Sequence, residues 1–171
     1  LPILLAEYSF HSEKDIEDYL ALLLQIPEYF DGLLQFEYAK SDAGLFMNDT
    51  IAQSIIDQCK AFLDTQEENI LFTTFESRIE TQKNLTDKEK QNYILQNEEA
   101  VKTCVLPAYE KLAEGISSLK GTGKNEFGLC YFPEGKSYYT YLIKDLTGCY
   151  NSVDDILKRI QKQISQDIQD L

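Results

Sequence analysis

The chain holds a single histidine, His11, and that fact removes several chemistries at once. An HExxH zinc helix needs two histidines one turn apart, and a Cys/His zinc cluster needs comparable density; neither can be assembled from this sequence. His11 stands just before Ser12, which forms a capping-box pattern with Asp15, so its plain reading is a surface or capping histidine at a helix start. A Ser/His/Asp triad using His11 stays open as the alternative, although no GxSxG turn supports it. The four cysteines, Cys59, Cys104, Cys130 and Cys149, contain no CxxC pair. Cys59 and Cys104 fall on apolar helical faces, as buried free thiols do, while a disulfide between Cys130 and Cys149 stays open.

The stretch from Gly121 to Gly128 invites a phosphate-binding reading and fails it. A P-loop needs Gly where Ser118 stands and Ser or Thr where Asn125 follows Lys124; the dinucleotide pattern fails with Glu126 in the third-glycine position. The adjacent carboxylates Glu67-Glu68, Glu98-Glu99 and Asp154-Asp155 point about 100° apart on a helix and cannot face each other as a catalytic dyad. No EF-hand spacing occurs. What remains is a run of phenols after the glycine-rich loop: Tyr131, Tyr138, Tyr139 and Tyr141. At helical spacing such residues ordinarily pack a core edge with the hydroxyl reaching water. The functional alternative is a ligand-facing set holding a peptide carbonyl or carboxylate.

The elements that position these residues are helical almost throughout. Apolar residues recur at three- and four-residue intervals from Ile16 to Leu24, and Pro27 is expected to end that helix and open the next, which runs to Gly44. Further helices are predicted after Asn48 and over about 68–82. Thr86 and Glu89 open the longest pattern, with a kink or break expected near Val105 or Leu106 because Pro107 lies inside it. A loop over 121–135 follows, with at most a short extended segment at 129–132. A tyrosine-rich helix then ends at Gly148, and Ser152 with Asp155 caps the last helix, whose Val153, Ile156, Leu157, Ile160, Ile164, Ile168 and Leu171 form the cleanest stripe in the chain. The expected fold is all-α: an antiparallel multi-helix bundle of about six to seven helices. Residues 1–171 read as a single helical domain or a fragment of a larger protein, organised as acidic helices (1–86), a long Pro-kinked helix (87–120), the Gly-rich loop (121–135) and the Tyr-rich and amphipathic helices (136–171).

Composition narrows the function classes. With 43% hydrophobic residues and few Gly or Pro, the chain is globular rather than disordered. A net charge of −13 disfavours nucleic acid and anionic membrane surfaces, which are bound through Lys and Arg. The charge is local, with 16 acidic against 5 basic side chains before residue 87. A solubilising outer face is the plain account of it. No apolar run is long enough for insertion into a membrane. The chain starts without Met inside an apolar segment and stops while a helical pattern is running, so it reads as a piece cut from a longer protein, whose remainder would be a partner.

Several segments, in order along nearly the whole chain, carry a family resemblance: Leu5 to Phe10 with Asp15 to Leu23, Ala43 to Asp49, Leu106 to Leu112, and Gly128 to Leu142 with Thr147-Gly148. Together they resemble the bacterial family catalogued as domain of unknown function 885, and the last segment, with its Gly-Leu, Pro, Gly and Tyr-Tyr series, is the most specific. Longer members of that family look like zinc metallopeptidases of the HExxH class, with the zinc helix in their C-terminal part. The resemblance implies a helical portion upstream of such a site, with zinc and a peptide substrate belonging to the full-length parent and an exported or cell-envelope location, the cytoplasm staying open. No position here matches the zinc ligands or the catalytic glutamate, so no catalytic or metal residue and no cofactor is assigned to this fragment. Gly128, Gly135, Tyr138 and Tyr139 are the candidate substrate-facing residues. The alternative is a helical binding or protein-interaction module with no enzymatic activity.

Overall fold

A computed structural model describes residues 1–125 and 127–170. After the short helix α1 (Pro2–Ala6), α2 spans Glu13–Asp42. Its start is fixed as the spacing predicts: the Asp15 carboxylate accepts from the backbone N–H groups of His11 (2.9 Å) and Ser12 (2.8 Å). Pro27, however, does not end the helix, which runs straight past it. A proline in a helix interior costs about 3 kcal/mol. Against that cost stands an uninterrupted buried stripe on both sides, with Tyr19, Leu23, Ile26, Phe30 and Leu34 all buried, each contributing roughly 1.5–3 kcal/mol. Burial of one continuous face outweighs the lost hydrogen bond.

Helix α3 (Asp49–Leu63) starts at Asn48, whose side chain accepts from Ile51 N–H at 2.9 Å. Helix α4 (Ile70–Glu80) starts at the fully buried Asn69. The Asn69 carbonyl oxygen accepts from Leu71 N–H, and its amide donates to the Phe62 carbonyl and the Thr65 hydroxyl, which ties the end of α3 to the start of α4. Helix α5 (Asp87–Ala100) carries the expected Thr86/Glu89 capping box. The break expected near Val105 or Leu106 takes a specific form: a π-helical stretch, Val101–Val105, joins α5 to α6 (Leu106–Leu119), and Leu106 N–H donates to the Val101 carbonyl five residues back. The wider turn brings Pro107 into the first turn of α6, where a missing N–H costs least.

The chain divides into two compact units, Leu1–Lys124 and Asn125–Leu171. The first contains the core, in which α2, α3 and α6 pack together and α4 joins α5. Gly115 lets α6 approach α2 closely, since a Cβ there would lie 2.4 Å from Leu34 Cδ2. At one end Tyr8, Phe10, Tyr19 and Phe75 form an aromatic cluster with ring centroids 5.3–6.1 Å apart. The second unit holds α7 (Gly135–Thr147) and α8 (Val153–Gln169), the former closed by Gly148 in the left-handed region. Leu129–Tyr131, where a short extended segment is expected, is instead a 3-10 turn, closed by hydrogen bonds from Tyr131 N–H to Gly128 and from Phe132 N–H to Leu129. No described residue is in a strand, and the all-α expectation holds. Among the described residues of the second unit only Asn125 and Gly135 are buried, and neither is an apolar side chain that could form a core.

Candidate functional site

The turn before α7 is built by residues that tolerate unusual backbone. Gly128 has φ +105°, a conformation that L side chains rarely adopt. Asn125 holds it in place, donating its amide to the Gly128 carbonyl at 2.5 Å and accepting from Phe127 N–H at 3.0 Å. Glu134, also left-handed, accepts from the Ser137 hydroxyl at 3.1 Å and so steadies the first turn of α7. Gly135 then packs directly on the Leu129 carbonyl, where a Cβ would lie 1.8 Å from that oxygen. The Pro-Glu-Gly spacing therefore clamps the 3-10 turn onto the start of α7.

From that clamp the tyrosines diverge. Tyr138 and Tyr141, three apart, lie on one side of α7 and stack with centroids 6.2 Å apart. Tyr139 points elsewhere, lining a cavity of about 430 Å³ with Leu129, Cys130, Lys136, Thr140 and Val153. The four sequence candidates thus split: Gly128 and Gly135 shape the turn, Tyr139 faces the cavity and Tyr138 does not line it. Lys136, Thr140 and Cys130 join the site, and the sequence offers no signal for them beyond their spacing from Tyr139. The cavity wall is mostly apolar, Lys136 and Tyr139 supply its polar groups while the Thr140 hydroxyl donates to the Lys136 carbonyl at 3.0 Å, and no carboxylate is among its described lining residues. The Lys136 ammonium and the Tyr139 phenol can donate hydrogen bonds to a peptide carbonyl or a carboxylate, and the described lining holds no carboxylate or imidazole to act as a general base.

The other candidates resolve into structural work. His11 is exposed, and its backbone N–H serves the Asp15 cap. That hydrogen bond, followed by the Ser12 hydroxyl, holds the Asp15 carboxyl below its ordinary range. Glu98 pairs with Lys102 at 3.0 Å, and Asp155 accepts from the Ser152 hydroxyl at 2.7 Å. All four cysteines are free thiols; Cys59 is buried, and burial pushes its thiol up.

One structurally central side chain escapes the sequence reading. Arg78, on α4, donates to the backbone carbonyls of Leu5 (3.1 Å), Tyr8 and Thr74 (3.0 Å). Its guanidinium lies 4.5 Å from the Phe10 ring centroid and 5.1 Å from that of Tyr19. The available signal is an arginine set between Phe75 and Ile79, inside the apolar stripe of α4.

With the all-helical fold and the clamped Gly/Tyr turn described, the comparison with known proteins identifies the class. The chain belongs to the family described as bacterial protein of unknown function (DUF885), whose profile matches residues 1–169. A solved structure, "the putative lipoprotein from Colwellia psychrerythraea", has the same fold with a TM-score of 0.86 at 23% identity, over 96% of this chain and 28% of that one. This chain therefore spans less than a third of the length of that relative. No curated protein matches it. Among the described residues, no helix is long and apolar enough to cross a membrane.

Proposed function

We propose that this chain is a non-catalytic helical segment of a longer bacterial protein of the zinc-metallopeptidase type, and that it contributes a wall of the substrate channel. The observation that carries the reading is the mostly apolar cavity beside α7, lined by Lys136 and Tyr139 and by Leu129 of the turn on which Gly135 packs. Zinc does not fit the residues present: among those described, no group of three His, Cys, Asp or Glu side chains could hold a metal ion. Zinc, the hydrolytic water and the general base would therefore belong to the rest of the longer polypeptide. There the metal would polarise the scissile carbonyl, while the α7 cavity binds and orients the peptide. The lipoprotein description of the Colwellia relative supports an exported or envelope location.

The test of the cavity's role is a pair of substitutions in the whole gene product, Tyr139→Phe and Lys136→Ala. Each removes a donor that holds substrate before and during the reaction, so KM rises roughly three- to tenfold with kcat within about twofold. A large fall in kcat at unchanged KM would contradict the reading. The second reading is a helical interaction module without enzymatic activity, favoured by the exposed apolar stripe of α8.

A further inference from the structure

The second unit lacks what a helical unit needs to stand alone. Helix α8 has strictly sided chemistry, yet Leu157, Ile160, Ile164 and Ile168 are each about half exposed or more, at 49–67%. On α7, Tyr138, Tyr141 and Leu146 are also exposed, and no apolar side chain among the described residues of this unit is buried. Amphipathic helices of this kind draw most of their stability from covering the apolar face. The pattern is too regular to be scattered surface hydrophobicity, since Val153, Leu157, Ile160 and Ile164 follow intervals of four, three and four.

From this we propose that the α8 stripe is a docking seat for a further segment of the same, longer polypeptide, and that α8 acquires its stability on that contact. One observation selects this occupant over a second copy of the chain. The solved relative carries the same fold as only 28% of its length, so abundant chain of one polypeptide is at hand, at high effective concentration, to cover the stripe. The proposal is independent of the proposed peptidase role and holds whatever the longer polypeptide does.

The experiment compares amide hydrogen exchange across residues 156–168 in the 171-residue chain and in the whole gene product, at equal and varied concentration. The expected result is exchange at least about tenfold slower in the whole gene product, independent of concentration. In that product, Ile160→Asp with Ile164→Asp should abolish the protection, and Gln166→Ala on the polar side should leave it unchanged. Because the substituted residues are exposed in this chain, folding of the first unit serves as an internal control. Three results would overturn the proposal: equal exchange in the two proteins, concentration-dependent protection of the 171-residue chain with a dimer mass, or a gene product that adds no chain to these residues.

Discussion

Replacing Arg78 with methionine tests how the N-terminal segment is held to the rest of the first unit. Methionine keeps most of the side-chain volume and removes only the guanidinium. The backbone carbonyls of Leu5 and Tyr8 lose a charged donor in a part-buried setting, and Phe10 and Tyr19 lose the cation beside their rings. A hydrogen bond from a charged donor is worth about 1.5–3 kcal/mol, and a partly desolvated cation–π contact adds roughly 0.5–2. Part of that gain is offset in the wild type, because Arg78 Nη2 and the Tyr19 hydroxyl are buried without hydrogen-bond partners. The net loss should therefore be about 3 kcal/mol, or a fall in Tm of roughly 6–12 °C for a chain of this size. Urea titration with an unchanged m-value is the direct assay. Arg78→Lys should recover less than half, since one ammonium cannot span three carbonyls and lie flat beside the rings. A loss below about 1 kcal/mol for Arg78→Met would refute the reasoning.

Gly135→Ala places a methyl against the Leu129 carbonyl, and overpacking of this kind costs about 1–3 kcal/mol. Amide exchange over residues 138–142 should accelerate about tenfold, while α2 and α6 keep their rates; unchanged exchange in α7 would show that the clamp is not needed. Burial pushes the Tyr93 phenol up to about 12, helped by the hydrogen bond it donates to Glu13 at 2.7 Å. The unfolded phenol ionises near pH 10, so between about pH 10 and 12 the folded state holds the extra proton. The stability this supplies is full below about pH 10 and is lost as the pH rises through 12. The stability gap between wild type and Tyr93→Phe should shrink across that window, and a gap that stays constant from about pH 9 to 12 would count against the Glu13 contact.

Local signals proved readable where a few neighbouring atoms decide the outcome. Ser12 with Asp15, Asn48, Thr86 with Glu89, and Ser152 with Asp155 all cap helices as their spacing predicts, and Gly148 closes α7 in the left-handed region. Pro27 departs from the expected helix end because its cost is local while the compensation is tertiary: the buried stripe that carries α2 through it depends on partners far away in sequence. The π stretch before Pro107 is hidden for a related reason, since only the packed helix shows which turn absorbs the missing donor. At the site, the glycines and tyrosines were visible as unusual residue types. Their division into clamp, cavity wall and outward stack depends on the direction of α7 after the Gly135 contact, and residue spacing alone does not carry that. Arg78 shows the same limit, being one charged residue in an apolar stripe whose partners lie some 70 positions earlier in the chain.

The central claim, a substrate-wall segment whose chemistry is supplied by the rest of a longer polypeptide, is tested most directly by measuring zinc content and peptide hydrolysis on two proteins, the 171-residue chain and the whole gene product. The account predicts about one zinc per molecule and chelator-sensitive hydrolysis in the whole gene product, with neither in the chain alone. A whole gene product that is zinc-free, or inactive against peptide libraries with zinc supplied, would contradict it.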